Sequence, residues 1–327
     1  MDASWQRCLD AFLDSIEDIS GSQRSRARYA YILASFFTDP ERNPDTYTHT
    51  EVQSFLNAKS TSPRNRGRDI SPNTKNNRLM VLNSFYKFAA TYQINGDALL
   101  QTKPPTYGLK YLKIRSNPHA LSAQEIERFF AAIPHDTIKG VRDHALFLTY
   151  FLTAKRRAEI ISLTVSDIQE ATLIDRAGER YQGHLFQYHA KGRSRILETH
   201  ELPPLAYDAI LRYWRASGRF DTLQPTDPVF TSTRPDQLNQ MLTGDYANAL
   251  YKDYNTKAGL DSRYSLHSLR HASARQRYEL GSDIRAIQET LDHTSLTTTS
   301  LYLKSLTVNH DSGADLLTKR FGHLGHF

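Results

Sequence analysis

His267-Ser-Leu-Arg270-His271, then Leu291-Asp292-His293 and finally Tyr302, is the stretch that decides how this chain is read. A phosphodiester under nucleophilic attack gathers charge on its non-bridging oxygens, and a planar guanidinium fork answers that charge with paired hydrogen bonds. Arg270 fits that role, and Arg156, far upstream, supplies a second fork. The attacking oxygen is assigned to Tyr302. A phenol with an ordinary pKa of about 10 needs cations or a base beside it to release its proton. His267 and His293 are placed to give that help, and Lys191 is the candidate donor of a proton to the leaving 5′ oxygen.

Spacing constrains where these groups sit. His267 and Arg270 are three apart and share one face of a helical turn. His293 and Tyr302 are nine apart, and at about 100° per residue one unbroken helix would turn them to opposite sides. The expectation is therefore that His293 precedes a helix capped by Thr294 or Ser295, with Tyr302 about two turns along or just past its end.

With these motifs the chain resembles the tyrosine site-specific recombinases, the family of phage integrases, Cre and the Xer proteins. The family's first box, Thr-Gly-Leu-Arg with an acid three residues on, is matched by Thr153-Ala-Lys-Arg156 and Glu159. Its hairpin lysine is matched by Ala190-Lys191-Gly192, between strand-like runs at residues 181–189 and 194–200. Its second box, His-x-x-Arg-His, is met by His267, Arg270 and His271, and its third, Leu-Gly-His with the nucleophile nine residues later, by Leu291-Asp292-His293 and Tyr302. The departures are Ala154, Lys155 and Asp292. The first two set three cations in a row, Lys155, Arg156 and Arg157, of which Arg156 is assigned to the phosphate from its spacing to Glu159. Asp292 brings a negative charge towards a site for an anion.

The resemblance implies Arg156, Lys191, His267, Arg270, His293 and Tyr302 as catalytic residues, with Glu159 and His271 supporting them. It also implies double-stranded DNA as substrate, a dimer on each site and a tetramer when two duplexes are joined. A tail after Tyr302, with Leu316, Leu317 and Phe321 as apolar anchors, is expected to dock on a neighbouring protomer. Two other readings stay open: a DNA-binding protein of this fold without useful catalysis, and a type IB topoisomerase.

Composition agrees with a polyanionic partner. Lys and Arg number 41 against 35 Asp and Glu, a formal net charge of +6. The excess is concentrated. Residues 59–87 hold Lys59, Arg64, Arg66, Arg68, Lys75, Arg78 and Lys87 against the single acid Asp69, and residues 102–118 hold Lys103, Lys110, Lys113 and Arg115 with no acid. Arg64, Arg66, Arg68, Lys75, Arg78, Lys103, Lys110, Lys113 and Arg115 are the candidate phosphate and groove contacts. His310, His323 and His326 lack companions at ligand spacing, so no metal and no cofactor are expected. A single cysteine, Cys8, excludes an internal disulfide. The N-terminus lacks signal-peptide character and no apolar run is long enough to span a bilayer, so a soluble cytoplasmic protein is expected.

The fold expected is mainly α with a small antiparallel β-sheet. Residues 1–95 form a helical core DNA-binding domain, residues 96–118 an extended basic linker, and residues 119–327 a catalytic domain with a C-terminal tail. In the first, Trp5, Leu9, Phe12, Leu13 and Ile16 recur at helical spacing, as do Tyr29, Ile32, Leu33 and Phe36. A third helix is expected after a Thr50/Gln53 capping box, and a fourth after Ser71-Pro72, with Leu79, Leu82, Phe85 and Ala89 inward and Lys75, Arg78 and asparagines outward, towards a major groove. Ser122 and Glu125 are expected to cap the first helix of the catalytic domain.

Overall fold

The computed structural model describes residues 1–61, 65–113, 120–175, 178–189, 197–291 and 312–325. The chain divides into two compact units, Met1–Ser116 and Asn117–Phe327.

The first unit is built on helices α1 (Ala3–Ser20), α2 (Gln23–Phe36), α3 (His49–Asn57) and α4 (Pro72–Thr91). Asp2 caps α1 by accepting from the amides of Ser4 and Trp5, and Gly21 ends it in the left-handed conformation that glycine adopts without steric cost. The apolar stripes of α1, α2 and α4 meet in one aromatic core, where Phe12 and Phe85 pack edge to face at 5.5 Å between centroids. Cys8 lies in that core, and burial pushes its thiol up to about 12, so it is a packing residue.

Ser71 caps α4 with Pro72 in its first turn, and Leu79, Leu82, Phe85 and Ala89 are buried, as the pattern predicts. The cap of α3 differs. Thr48 and Glu51, not Thr50 and Gln53, form the capping box. Both pairs have the required spacing, but Arg42 forks onto Glu51 at 2.5 and 3.0 Å and selects it, while Gln53 faces the His49 ring at 3.1 Å.

The linker expectation is also corrected. After α4 the chain forms a hairpin, β1 (Gln93–Ile94) with β2 (Asp97–Ala98), and then lies along the first unit. Leu100 is buried and Leu99 and Leu109 pack on the same core. Asn76 of α4 holds the backbone of Leu112 by two bonds, donating to its carbonyl at 2.9 Å and accepting from its amide at 2.7 Å. Proline and lysine content suggested an extended segment; the leucines between them anchor it.

In the second unit helix α5 (Ala123–Ala131) begins at the Ser122/Glu125 capping box, as expected. Helix α6 (Ile138–Thr153) is buried from Arg142 through Thr153 and forms the axis of the unit. Gly140 permits its close seating, since a Cβ there would fall 1.8 Å from the carbonyl oxygen of Pro134. Helix α7 (Arg157–Ile161) precedes a sheet of β3 (Ile168–Ile174), β4 (Arg180–His189) and β5 (Leu197–Leu202), antiparallel in the order β3-β4-β5. His189 pairs with Leu197, so residues 190–196 join β4 to β5. Then follow α8 (Pro204–Ala216), α9 (Gly244–Lys257), α10 (Leu266–Glu279), α11 (Ile284–Thr290) and α12 (Ser312–Phe321). The predominance of helix with small antiparallel sheets is the fold class the sequence predicts.

Of the expected tail anchors, Leu317 and Phe321 are buried in the core of their own unit, with Leu324 in the same core and Phe321 edge-on to Phe151 at 5.5 Å. Leu316 is half-buried. Among the described residues no helix is long and apolar enough to cross a membrane.

The Glu51 cap gives a pH prediction. Hydrogen bonds from Arg42 and Thr48 hold its carboxyl down to about 2, below the ordinary 4.5. A depressed carboxyl contributes stability above about pH 4.5 that is lost as pH falls towards 2. In Glu51→Gln, amide protection of α3 should therefore drop by on the order of 1 kcal/mol near neutral pH, and the gap to wild type should close towards pH 3, as read by hydrogen exchange.

Candidate active site

The first box lies at the C-terminal end of α6. Ala154 closes that helix in the left-handed conformation, φ 53°, ψ 22°. Its methyl is buried against Ile287 and Leu291 of the α11 region, with Ala274 of α10 alongside. The turn then presents three cations in succession, and the structure sends each to a different place. Lys155 is 1% exposed, with its Nζ 2.8 Å from the Thr290 carbonyl oxygen and 3.1 Å from His200 Nε2. Arg157 packs on the start of α9, where a Cβ at Gly244 would be 2.7 Å from its guanidinium carbon. Arg156, between them, keeps 29% of its side chain exposed.

Glu159 fixes Arg156 by two contacts. One carboxylate oxygen accepts the Arg156 amide at 2.6 Å, completing the cap of α7, and the other accepts from the guanidinium at 2.9 Å. The carboxylate is 3% exposed, so this pair is held in place far more firmly than a solvated one.

Helix α10 carries the second box. Arg270 is 2% exposed and donates to the Leu291 carbonyl oxygen at 2.5 Å. His267 is exposed one turn earlier, with the half-buried His271 ring edge-on to it at 4.6 Å between centroids. The first and second boxes meet around Tyr150, whose phenol is pushed up by burial while Arg270 and Arg157 pull it down and Glu159 pushes it up. Lys155 and Arg270 thus hold the carbonyls of Thr290 and Leu291, consecutive residues at the end of α11. Those are backbone acceptors that a helix terminus leaves without an intrahelical partner, and cations there oppose the negative end of its dipole.

Arg156, Glu159, His267, Arg270 and His271 are therefore brought to one region of the second unit. Lys191, His293 and Tyr302 lie outside the described residues, as does the expected helix after His293. Sequence reasoning did not single out Arg277, which is 1% exposed, donates to the Leu152 carbonyl oxygen at 2.5 Å and abuts Gly313. The signal was present: seven residues after Arg270, it lies on the same helical face. Among the described residues no group of three or more His, Cys, Asp or Glu is arranged to hold a metal ion.

In the first unit, Arg64 and Arg115 lie outside the described residues, while Arg66, Arg68, Lys103, Lys110 and Lys113 are exposed. Two candidates for the groove bond to partners within the first unit. Arg78 donates to the Phe55 carbonyl at 2.6 Å and lies over the Phe55 ring at 4.4 Å, and Lys75 bonds Asn57 at 2.7 Å. The Arg78 guanidinium finds the face of an aromatic ring on α3, which charge counting does not register. Lys59 pairs with Asp69 at 2.5 Å, so part of the local basic excess is neutralised.

The profile of the Phage integrase family matches residues 119–308, more than half of the chain. The chain belongs to this family, that of the tyrosine recombinases, enzymes of site-specific DNA recombination. Within it, the chain is 28% identical over 297 residues to tyrosine recombinase XerD of Corynebacterium glutamicum, covering 88% of this chain and 87% of that protein. It is 27% identical over 267 residues to tyrosine recombinase XerC of Roseiflexus castenholzii, covering 81% and 76%. Among solved structures it is similar to XerH site-specific recombinase bound to a palindromic difH substrate in a post-cleavage complex, with TM-score 0.61, 18% identity and coverage of 95% of this chain and 84% of that one. A lambda integrase tetramer bound to a Holliday junction gives TM-score 0.60 at 14% identity, covering 90% and 80%. At such identities these two likenesses speak to fold alone.

Ala154 yields a stability prediction. In Ala154→Gly, relief of a left-handed alanine, about 1 kcal/mol, is offset by loss of a buried methyl, about 0.8 kcal/mol, so thermal unfolding should shift little. Ala154→Val adds a β-branch to a left-handed residue in a filled space, and should cost about 3 kcal/mol in the same measurement.

Proposed function

We propose that this protein is a site-specific recombinase that cuts and rejoins DNA through a 3′-phosphotyrosyl intermediate. The observation that carries the reading is the meeting of the two arginine boxes at the end of α11, directly before Asp292-His293 in sequence. Tyr302 Oη attacks the scissile phosphorus, the bond from phosphorus to the 5′ oxygen breaks, and Lys191 gives that oxygen its proton. Arg156 and Arg270 hold the non-bridging oxygens as charge builds on them. Glu159 keeps the Arg156 fork in place, and His267 and His293 position the phosphate and balance protons, with His271 beside His267. A 5′ hydroxyl from the partner duplex then reverses the step. Each transesterification exchanges one phosphodiester bond for another, so the cycle needs neither ATP nor a metal ion.

Double-stranded DNA is the substrate, gripped by the second unit and by exposed cations of the first, among them Arg66, Arg68, Lys103, Lys110 and Lys113. These contacts set affinity and register rather than sequence choice. Two protomers occupy one site and four join two sites. The XerH and lambda integrase structures are of DNA-bound proteins, which supports this reading of the partner. The task we assign is integration or excision of a mobile element, on the departures at Ala154, Lys155 and Asp292 from the housekeeping resolvase pattern; sequencing the DNA trapped on the protein in its host tests that assignment.

A nicked suicide site tests the chemistry. Wild type should become covalently attached to the 3′ end, and Tyr302→Phe should bind the same DNA with unchanged affinity and form no adduct. Binding without attachment by wild type would leave a DNA-binding protein of this fold. Site-independent relaxation of supercoiled DNA by a monomer would mark a topoisomerase. An adduct formed by Tyr302→Phe would assign the nucleophile to another tyrosine.

A further inference from the structure

We propose that Lys155 is a positioning residue that ties the β4–β5 hairpin to the end of α11, and so couples the two segments that lead to Lys191 and to His293. The inference rests on the catalytic reading above for its consequence, but the tie itself stands on separate contacts.

A lysine amine at 1% exposure is costly to bury unless its protons are used. Here one is directed to the Thr290 carbonyl oxygen at 2.8 Å and another to His200 Nε2 at 3.1 Å. The Nζ also lies over the Tyr188 ring, 5.4 Å from its centroid. Thr290 is the last residue of α11, His200 belongs to β5 and Tyr188 to β4, so one amine touches both strands of the hairpin and the helix end. The hairpin side is rigid, because the His200 and Tyr188 rings stack at 5.7 Å with 21° between planes, and Phe186 stacks on Tyr188. The helix side is fixed one residue later by Arg270 on the Leu291 carbonyl and by the Ala154 methyl below.

Position in the chain gives the tie its meaning. β4 and β5 are the strands that residues 190–196 connect, and α11 ends two residues before Asp292. A proton donor and a histidine acting on one phosphate must be held in register to within a fraction of an ångström. Lys155 spans their two supports. A leucine at this place would fill the same volume but could offer no hydrogen bond to either.

Lys155→Met keeps the volume of the chain and removes its donors, leaving the Thr290 carbonyl and His200 without this partner. For this variant we expect a lowered melting temperature, unchanged affinity for a suicide DNA site and, at a temperature where the variant is folded, at least a tenfold slower single-turnover adduct formation. Lys155→Arg, which keeps donors, should recover part of that rate. Hydrogen exchange should quicken in both 180–202 and 284–291, and nowhere else. His200→Phe keeps the ring stack but removes the acceptor, so exchange should quicken in the hairpin and not in α11; it also serves should Lys155→Met fail to fold. Unchanged adduct rate, or exchange unchanged at either segment, would overturn the proposal. Wild type that forms no adduct would overturn the catalytic reading, and the exchange data on the same variants would still decide the tie.

Discussion

Two cations reaching for two consecutive backbone carbonyls, Lys155 to Thr290 and Arg270 to Leu291, organise the second unit. Both come from segments defined by other elements: Lys155 from the turn that ends the buried axis α6, Arg270 from the middle of α10. α11 is only two turns long, too short to hold its own geometry, and its end is fixed by partners outside it. Loss of either cation would leave a carbonyl of the helix end without its ligand and a buried residue without its purpose.

The same economy governs the first box. Glu159 caps α7 and orients Arg156 with one carboxylate, so the fork and the helix start are set together. Arg277 repeats the device two turns further along α10, holding the Leu152 carbonyl at the end of α6 while Gly313, the second residue of α12, rests against it. Helix α10 thereby bonds to the ends of α6 and α11 through two arginines on one face.

Much of this was legible in the sequence. Helical spacing located α1 and α2, the serine caps Ser71 and Ser122 located α4 and α5, and strand-like runs flanking Lys191 located β4 and β5. Local patterns of this kind survive folding because they are the fold's own repeat. What was not legible depended on long-range choice. Thr48/Glu51 and Thr50/Gln53 have equal spacing, and only Arg42 distinguishes them. Strand β3, with Gln169, Glu170 and Thr172 exposed, carries too little apolar alternation to declare itself without β4 beside it. Of three adjacent cations, local sequence cannot say that Lys155 turns into the core, since His200 and Thr290 are 45 and 135 residues away. Arg78 and Leu317 make the same point: charge and hydropathy gave their character, and the partners Phe55 and the unit's own core were set by tertiary contact.

The most direct test of the account is a crystal structure of the protein on a DNA site with orthovanadate in place of the scissile phosphate. The account predicts Arg156 and Arg270 both on the vanadate oxygens, with Arg270 still bonded to the Leu291 carbonyl and Lys155 still turned inward on Thr290 and His200. Lys155 or Arg157 on the vanadate in place of Arg156, or a vanadate that Arg270 does not touch, would contradict it.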